Sequence, residues 1–278
     1  MKLGELMRDA VQRLAESGVE NAQRDVQILM AEILTCDPSR LMLLRDDEVT
    51  QTQADIFAKM VAARSRRQPV SQIVGYREFW GRRFSVNGDV LDPRPDTELI
   101  IEEALKGPVP DRFLDLCTGS GNLAITLLCE WSQSRCVATD ISQPALDIAL
   151  KNAQAHGVEA RFESVNLPWM NDLEAGFDLV VSNPPYISVD EMADLSPEVR
   201  DWEPHIALTP GGDGLEAYRR FAVGLQAVLN PGGRAILEFG YKQADAVTAI
   251  FRAEGYSDTR ILRDLGGNER IIVIMNKF

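Results

Sequence analysis

The chain has 278 residues, of which 45% are hydrophobic and 26% charged, with a net charge of −13. This is the composition of a globular protein with room for two domains, and no apolar run approaches the roughly 20 residues of a membrane span. The first 92 residues are close to neutral and the remainder holds nearly all the negative charge, which argues against gripping a phosphate backbone over a large area.

In chain order, residues 1–69 read as a small helical bundle. Leu3, Leu6, Met7, Ala10, Val11 and Leu14 recur at helical spacing, with Gly18 just past the end. Ala22, Val26, Leu29 and Ile33 form a second stripe. Asp37-Pro38 is a cap followed by proline at the first helical position, and Thr50 with Gln53 forms a capping box before Ile56, Phe57, Met60 and Val61. Residues 70–92 turn β-prone and glycine-punctuated, predicting a β-hairpin linker. The one basic cluster, Arg64, Arg66, Arg67, Arg77, Arg82 and Arg83, reads as a solvated face, with a local contact to an acidic partner as the alternative.

Residues 93–278 open with a helix through Leu105, then alternate strand and helix. Strands are expected near 113–116, 136–140, 160–165, 177–182, 234–239, 259–263 and 270–275, with helices at 122–131, 143–156, 214–229 and 242–254. That alternation predicts an α/β fold with a doubly wound, mostly parallel sheet. The short link between the last two strands makes them an antiparallel pair, so the last strand runs against the rest. The N-terminal stretch MKLGELMRDAVQRL carries charge instead of a signal-peptide core. Cys36, Cys117, Cys129 and Cys136 show no C-x-x-C spacing, and His156 and His205 form no ligand pattern with them. Reduced thiols, a cytoplasmic location and no metal site are expected.

Two stretches carry chemistry. The first is Phe177 to Ser188, FDLVVSNPPYIS. Leu179, Val180 and Val181 read as a buried strand. Pro184 and Pro185 cannot donate to a ladder and push the residues before them into extended conformation, so the strand stops at Asn183. Asn-Pro-Pro-Tyr is then a stiff tetrapeptide at the carboxyl edge of a sheet, where ligands bind in open α/β folds. The second is Asp115-Leu116-Cys117-Thr118-Gly119-Ser120-Gly121, a strand end opening into a helix. Its glycines permit a tight turn and close approach of a ligand to bare backbone. Asp140 ends the next strand, placed to accept from both hydroxyls of a ribose. Gly119-x-Gly121-x-x-Ala124 also fits a dinucleotide fingerprint. Asp115 decides between the two cofactors, since a carboxylate there repels a pyrophosphate and suits the ammonium of a methionine moiety. S-adenosylmethionine, not NAD, is the cofactor expected.

DLCTGSG, Asp140 and NPPY together resemble class I S-adenosylmethionine-dependent methyltransferases that modify amino groups. REFWG (77–81), PRPDTE (93–98), the EPHIAL and GGDGLEAYRRF segments (203–221) and GGNER (266–270) narrow the resemblance to the peptide-chain release factor glutamine N5-methyltransferases, PrmC, once called HemK. The resemblance spans nearly the whole chain. It implies that the protein methylates the glutamine of the Gly-Gly-Gln motif in class 1 release factors, with the N-terminal bundle docking the factor.

In that family an acidic residue follows the third strand. Here the segment is Glu163-Ser164-Val165-Asn166-Leu167-Pro168-Trp169. Asn166 is the match to the acid, and Trp169 reads equally as an adenine-side aromatic or as core. Asp92 stands where the family has an apolar residue. The expected cofactor contacts are Asp115, Cys117, Thr118, Gly119, Ser120, Gly121, Asp140, Asn166, Trp169 and Asn183. The catalytic group is Asn183, Pro184 and Tyr186, with Pro185 also against substrate. The Asn183 side-chain oxygen and the Pro184 carbonyl accept the two hydrogens of the target amide, while Tyr186 packs on its flat face. N6-adenine methylation of DNA or RNA is the alternative reaction, but a base-modifying enzyme must extrude the base and hold the strand, and no basic recognition domain is evident. A non-catalytic module that recruits a translation factor is the other alternative; the intact Asn-Pro-Pro-Tyr argues against it.

Overall fold

A computed structural model describes residues 1–170 and 173–277. The chain divides into two compact units, residues 1–76 with 196–202, and residues 77–195 with 203–278.

The first unit is helical. Helices Leu3–Glu16, Ala22–Leu34 and Gln51–Ser65 bury Leu14, Val26, Leu29, Met30, Phe57 and Val61 in a common core. The capping box forms: the Thr50 hydroxyl accepts from Gln53 N at 3.3 Å, and Thr50 N donates to the Gln53 side chain at 3.0 Å. Val70–Val74 is a helix, not the start of a hairpin. Val70, Ile73 and Val74 sit at i, i+3, i+4 and pack on the helical core, so spacing outweighs the strand preference of branched side chains. Gly75 ends that helix at φ 86°.

Part of the arginine cluster is also not a solvated face. Arg64 is buried, donating to Asp25 at 2.7 Å and Glu198 at 2.9 Å. Arg67 donates to both oxygens of Glu198 at 2.7 Å. Trp202 Nε1 donates to the Arg66 carbonyl at 3.2 Å. These bonds explain why residues 196–202 belong to this unit.

From Arg77 the second unit opens in a hairpin, β1 (Tyr76–Phe79, its first residue counted with the helical unit) and β2 (Arg82–Ser85). Its two turn residues, Trp80 and Gly81, both have positive φ, 50° and 67°, the geometry that matches strand twist in a two-residue hairpin. The sheet contains β3 (Arg112–Leu116), β4 (Arg135–Asp140), β5 (Phe162–Asn166), β6 (Phe177–Ser182), β7 (Leu229–Glu238), β8 (Thr259–Arg263) and β9 (Glu269–Met275). Their order is β5-β4-β3-β6-β7-β9-β8. All pairs from β5 to β7 are parallel, and β9 runs antiparallel to both β7 and β8. The sheet is therefore doubly wound and mostly parallel with an antiparallel last strand.

Alternation splits the core over two faces. Phe113, Leu179, Val181 and Ile236 pack on one side, with Leu114, Val180, Ala235 and Leu237 on the other. β7 starts earlier than its apolar run. Leu229 pairs with Phe177, the register then shifts, and pairing resumes at Arg234 opposite Leu179. Asn230-Pro231-Gly232-Gly233 fills the irregularity, as a proline without an N–H requires. Among the described residues no helix is long and apolar enough to cross a membrane.

Candidate active site

The parallel strands deliver their carboxyl ends to one edge of the sheet, and a cavity of about 240 Å³ opens there. Two walls of it are built differently.

One wall is the loop after β3. The chain turns through three positive-φ residues, Cys117 at 58°, Gly119 at 53° and Gly121 at 79°. Gly121 is also tightly seated: a Cβ there would come within 2.7 Å of Ile125 Cδ1 and 3.2 Å of Ala149. Two carboxylates hold the loop. Asp140 Oδ2 accepts from Gly119 N at 2.9 Å and Oδ1 accepts from Ser142 N at 2.9 Å. Asp140 lines the cavity, and each oxygen keeps a lone pair for a ligand. Burial raises its pKa.

Asp115 behaves differently from expectation. It is 1% exposed and is not among the residues that line the cavity. Its Oδ2 accepts from the Thr118 hydroxyl at 2.6 Å and from Ala124 N at 3.2 Å, bracing the loop from beneath. Its Oδ1 is buried without a hydrogen-bond partner. Desolvation pushes this carboxyl up to about 7, against the pull of the Thr118 and Ala124 bonds. Asn152 supports the loop from behind, donating to the Ser120 carbonyl at 2.8 Å and to the Ser85 carbonyl at 3.1 Å.

Cys117, Thr118, Gly119 and Ser120 line the cavity, as do Trp169 and Asn183. Trp169 forms part of the wall and packs edge-on against Phe221, ring centroids 5.8 Å apart. Asn166 stands apart. It is exposed, and its Nδ2 donates to the Asp140 and Ile141 carbonyls at 3.0 Å each, so it shapes the turn after β4 while Leu167, Pro168 and Trp169 face the cavity.

The second wall is the end of β6. Asn183 and Pro185 line the cavity; Pro184 and Tyr186 are not in its lining. The tetrapeptide is fitted against glycines. A Cβ on Gly214 would collide with the Tyr186 carbonyl, and one on Gly240 would press on the Tyr186 ring at 3.3 Å. Gln243 Nε2 donates to the same Tyr186 carbonyl at 2.8 Å.

Asn183 itself is tethered. Its Nδ2 donates to Thr97 Oγ1 at 3.0 Å, and Thr97 Oγ1 donates to Glu238 Oε2 at 2.7 Å. The Tyr186 hydroxyl stands 3.5 Å from Glu238 Oε1. Thr97 and Glu238 are each 1% exposed. Burial lifts the Glu238 carboxyl to about 7, opposed by the Thr97 bond and by the charges of Arg270 and Arg94. Reading the residues in order did not single out either partner as functional. A signal was there for Glu238, which ends its strand with an acid just as Asp140 does.

The cavity rim carries Asp89, Asp92 and Arg94. Arg94 is engaged with the buried Glu203 at 2.5 Å. Among the described residues the lining holds three acidic residues, Asp89, Asp92 and Asp140, and one arginine that is already paired, a balance that suits a cationic ligand more than a pyrophosphate.

Residues 5–75 match the family described as PrmC N-terminal domain, and residues 91–196 match the methyltransferase small domain. The release factor glutamine methyltransferase of Cereibacter sphaeroides is 48% identical over 272 residues, covering 98% of each chain. This chain belongs to the release factor glutamine methyltransferase family. A family member from Rhodospirillum rubrum is 38% identical over 273 residues, 98% of this chain and 84% of that protein. A methyltransferase from Pyrococcus furiosus shares the fold, with a TM-score of 0.56 at 16% identity, over 83% of this chain and 100% of that one. In family terms, the loop after β3 and the Asn-Pro-Pro-Tyr turn sit on one methyltransferase domain, at neighbouring strand ends.

Proposed function

We propose that the protein transfers a methyl group from S-adenosylmethionine to the side-chain amide nitrogen, N5, of the glutamine in the Gly-Gly-Gln motif of class 1 peptide-chain release factors. The observation that carries this reading is the Asn183 amide: one of its N–H donors is bound to Thr97, which sets Nδ2 on the Thr97 side and leaves Oδ1 as an acceptor for the cavity that Asn183 lines.

The residues present fit the cofactor. Asp140 offers acceptors for ribose hydroxyls, the bare backbone of Gly119 allows close approach, Trp169 supplies an aromatic wall, and the acidic lining favours a sulfonium and an ammonium over a phosphate. When bound, S-adenosylmethionine supplies an electrophilic methyl group.

The chain's own residues have a positioning task. A glutamine amide nitrogen is a poor nucleophile because its lone pair is delocalised into the carbonyl. Its two hydrogens are assigned to two acceptors, Asn183 Oδ1 in the cavity lining and the carbonyl of Pro184, a residue that is buried and outside that lining. Holding both aims the nitrogen and favours positive charge building on it. Alignment of this kind is worth roughly 7–11 kcal/mol of a barrier. Neither acceptor takes up a proton near neutral pH, so proton loss follows transfer. The helical unit, with its own core and buried ion pairs, is proposed to dock the folded release factor.

Incubation with methyl-labelled S-adenosylmethionine and intact release factor, with DNA and RNA as parallel acceptors, tests the reading. Label is expected on the release factor alone, at the Gly-Gly-Gln glutamine by peptide mass spectrometry. Label on nucleic acid and none on protein overturns it.

A further inference from the structure

Asn183 is held by residues from two distant parts of the chain, 86 positions from Thr97, which is itself 141 positions from Glu238. Thr97 precedes the helix Glu98–Leu105, and Glu238 is the last residue of β7. Their bonds have a direction. A threonine hydroxyl has one hydrogen, and a carboxylate can only accept. With Glu238 ionised, or protonated on Oε1, the 2.7 Å bond carries the Thr97 hydrogen to Glu238 Oε2. The Thr97 lone pairs are then what Asn183 meets at 3.0 Å, and only Nδ2–H can satisfy them. A proton on Oε1, the oxygen that faces Tyr186, still leaves Oε2 an acceptor.

An asparagine amide is nearly symmetric in shape and opposite in polarity at its two ends. Turned over, Asn183 would present two N–H donors to a substrate –NH2, which has donors of its own. Among the described residues the hydrogen bond that the Asn183 side chain makes is the one to Thr97. We propose that Thr97 and Glu238 are positioning residues that set the polarity of Asn183, fixing its oxygen toward the substrate amide. This deepens the proposed function and rests on its assignment of Asn183 as acceptor. Burial at 1% for both keeps water from competing for the same bonds.

The test is steady-state methylation of intact release factor by wild type, Thr97→Val, Thr97→Ser, Glu238→Gln and the Thr97→Val/Glu238→Gln double variant. Calorimetric binding of S-adenosylhomocysteine and thermal melting are run on each. Misorienting a catalytic amide is expected to lower kcat on the order of 10–100-fold in Thr97→Val, with cofactor Kd within about twofold of wild type. Thr97→Ser keeps the hydroxyl and recovers most of the turnover. Glu238→Gln, whose amide can donate to Thr97 as well as accept, loses a smaller factor. Because both residues act through one bond to Asn183, the double variant loses no more than Thr97→Val. A merely structural role would lower melting temperature and cofactor affinity, and the losses would multiply.

Turnover of Thr97→Val within about twofold of wild type, or multiplicative losses, overturns the inference. If Thr97→Val does not bind cofactor, Glu238→Gln is read alone, and unchanged kcat there overturns it. Absence of transfer by wild type that binds cofactor is a different result: it removes the proposed function beneath the inference.

Discussion

The two walls of the cavity solve the same problem by opposite means. The loop after β3 is held by partners 3 to 32 residues away in the chain. Asp115 reaches Thr118 and Ala124, Asp140 reaches Gly119 and Ser142, and the turn is made by residues whose φ is positive. The Asn183 wall has a stiff local backbone, but its reactive amide is oriented by Thr97 and Glu238 from elsewhere in the chain. A binding loop can be written as one short motif. An amide whose polarity matters needs a partner across the sheet, because its two ends are nearly alike in shape.

The largest expected effect separates the walls directly. Asn183→Ala should lower kcat and kcat/KM together by roughly 10²–10³, or about 2.7–4 kcal/mol, the loss of one transition-state acceptor. Cofactor affinity should stay near wild type, since Asp140 and the loop are untouched. Asn183→Asp keeps an acceptor of the same shape, and sequence reasoning alone expects it to retain activity. The tether reverses that expectation. Aspartate cannot donate to Thr97, and it places a second carboxylate one hydroxyl away from Glu238. It should be as inactive as alanine. Activity well above alanine would mean that the donor end is not used, and the contrast between the walls would collapse.

A smaller effect is expected at the other wall. Asp140→Ala removes charge-assisted hydrogen bonds worth roughly 1.5–3 kcal/mol, so calorimetry should show S-adenosylmethionine binding about tenfold weaker or worse. The same carboxylate is the acceptor for Gly119 N and Ser142 N. Melting temperature should therefore fall as well, unlike in Asn183→Ala. Loss of affinity without loss of stability would show that the loop keeps its shape without Asp140.

The same division explains what was legible in the sequence. The sheet, the antiparallel last strand, the capping box at Thr50 and the cavity-lining loop residues follow from local spacing and composition. Val70–Val74 was misread because β-branched residues suggest strand, whereas Val70, Ile73 and Val74 face one helical core. Arg64 was misread as solvated because its partner Glu198 lies 134 residues away. Asp115 was correctly placed at the loop, but its carboxylate braces the turn from below. Asn166 was correctly placed at a strand end, but its side chain is spent on two backbone carbonyls. In each case the residue type and strand position were visible, and the partner that decides the side chain's role was not.

A separate expected effect concerns pH, and each wall contributes one group to it. Asp115 under the loop and Glu238 behind Asn183 are both raised by desolvation to about 7, from ordinary values of 3.8 and 4.5. The direction follows from proton counting. Between those ordinary values and about 7 the folded chain holds protons that the unfolded chain has released. Stability must therefore fall as pH rises through that window, by at most about 1.4 kcal/mol per pH unit for each group. Glu203, also raised to about 7 by burial despite Arg94, adds to the same slope. Urea unfolding at a series of pH values between about 5 and 8 should show declining stability. Glu238→Gln should flatten the slope by up to one proton, and Asp115→Asn by a similar amount, because each removes one carboxyl that resists ionisation. The walls differ in what else changes. Asp115→Asn leaves the Thr97–Asn183 bond alone, so its kcat at saturating cofactor should remain near wild type while the loop loosens. Glu238→Gln leaves the loop alone, so cofactor affinity should persist while kcat falls. If both variants lower cofactor affinity and kcat in the same proportion, the two walls are one cooperative structure, and the loop is not locally held after all.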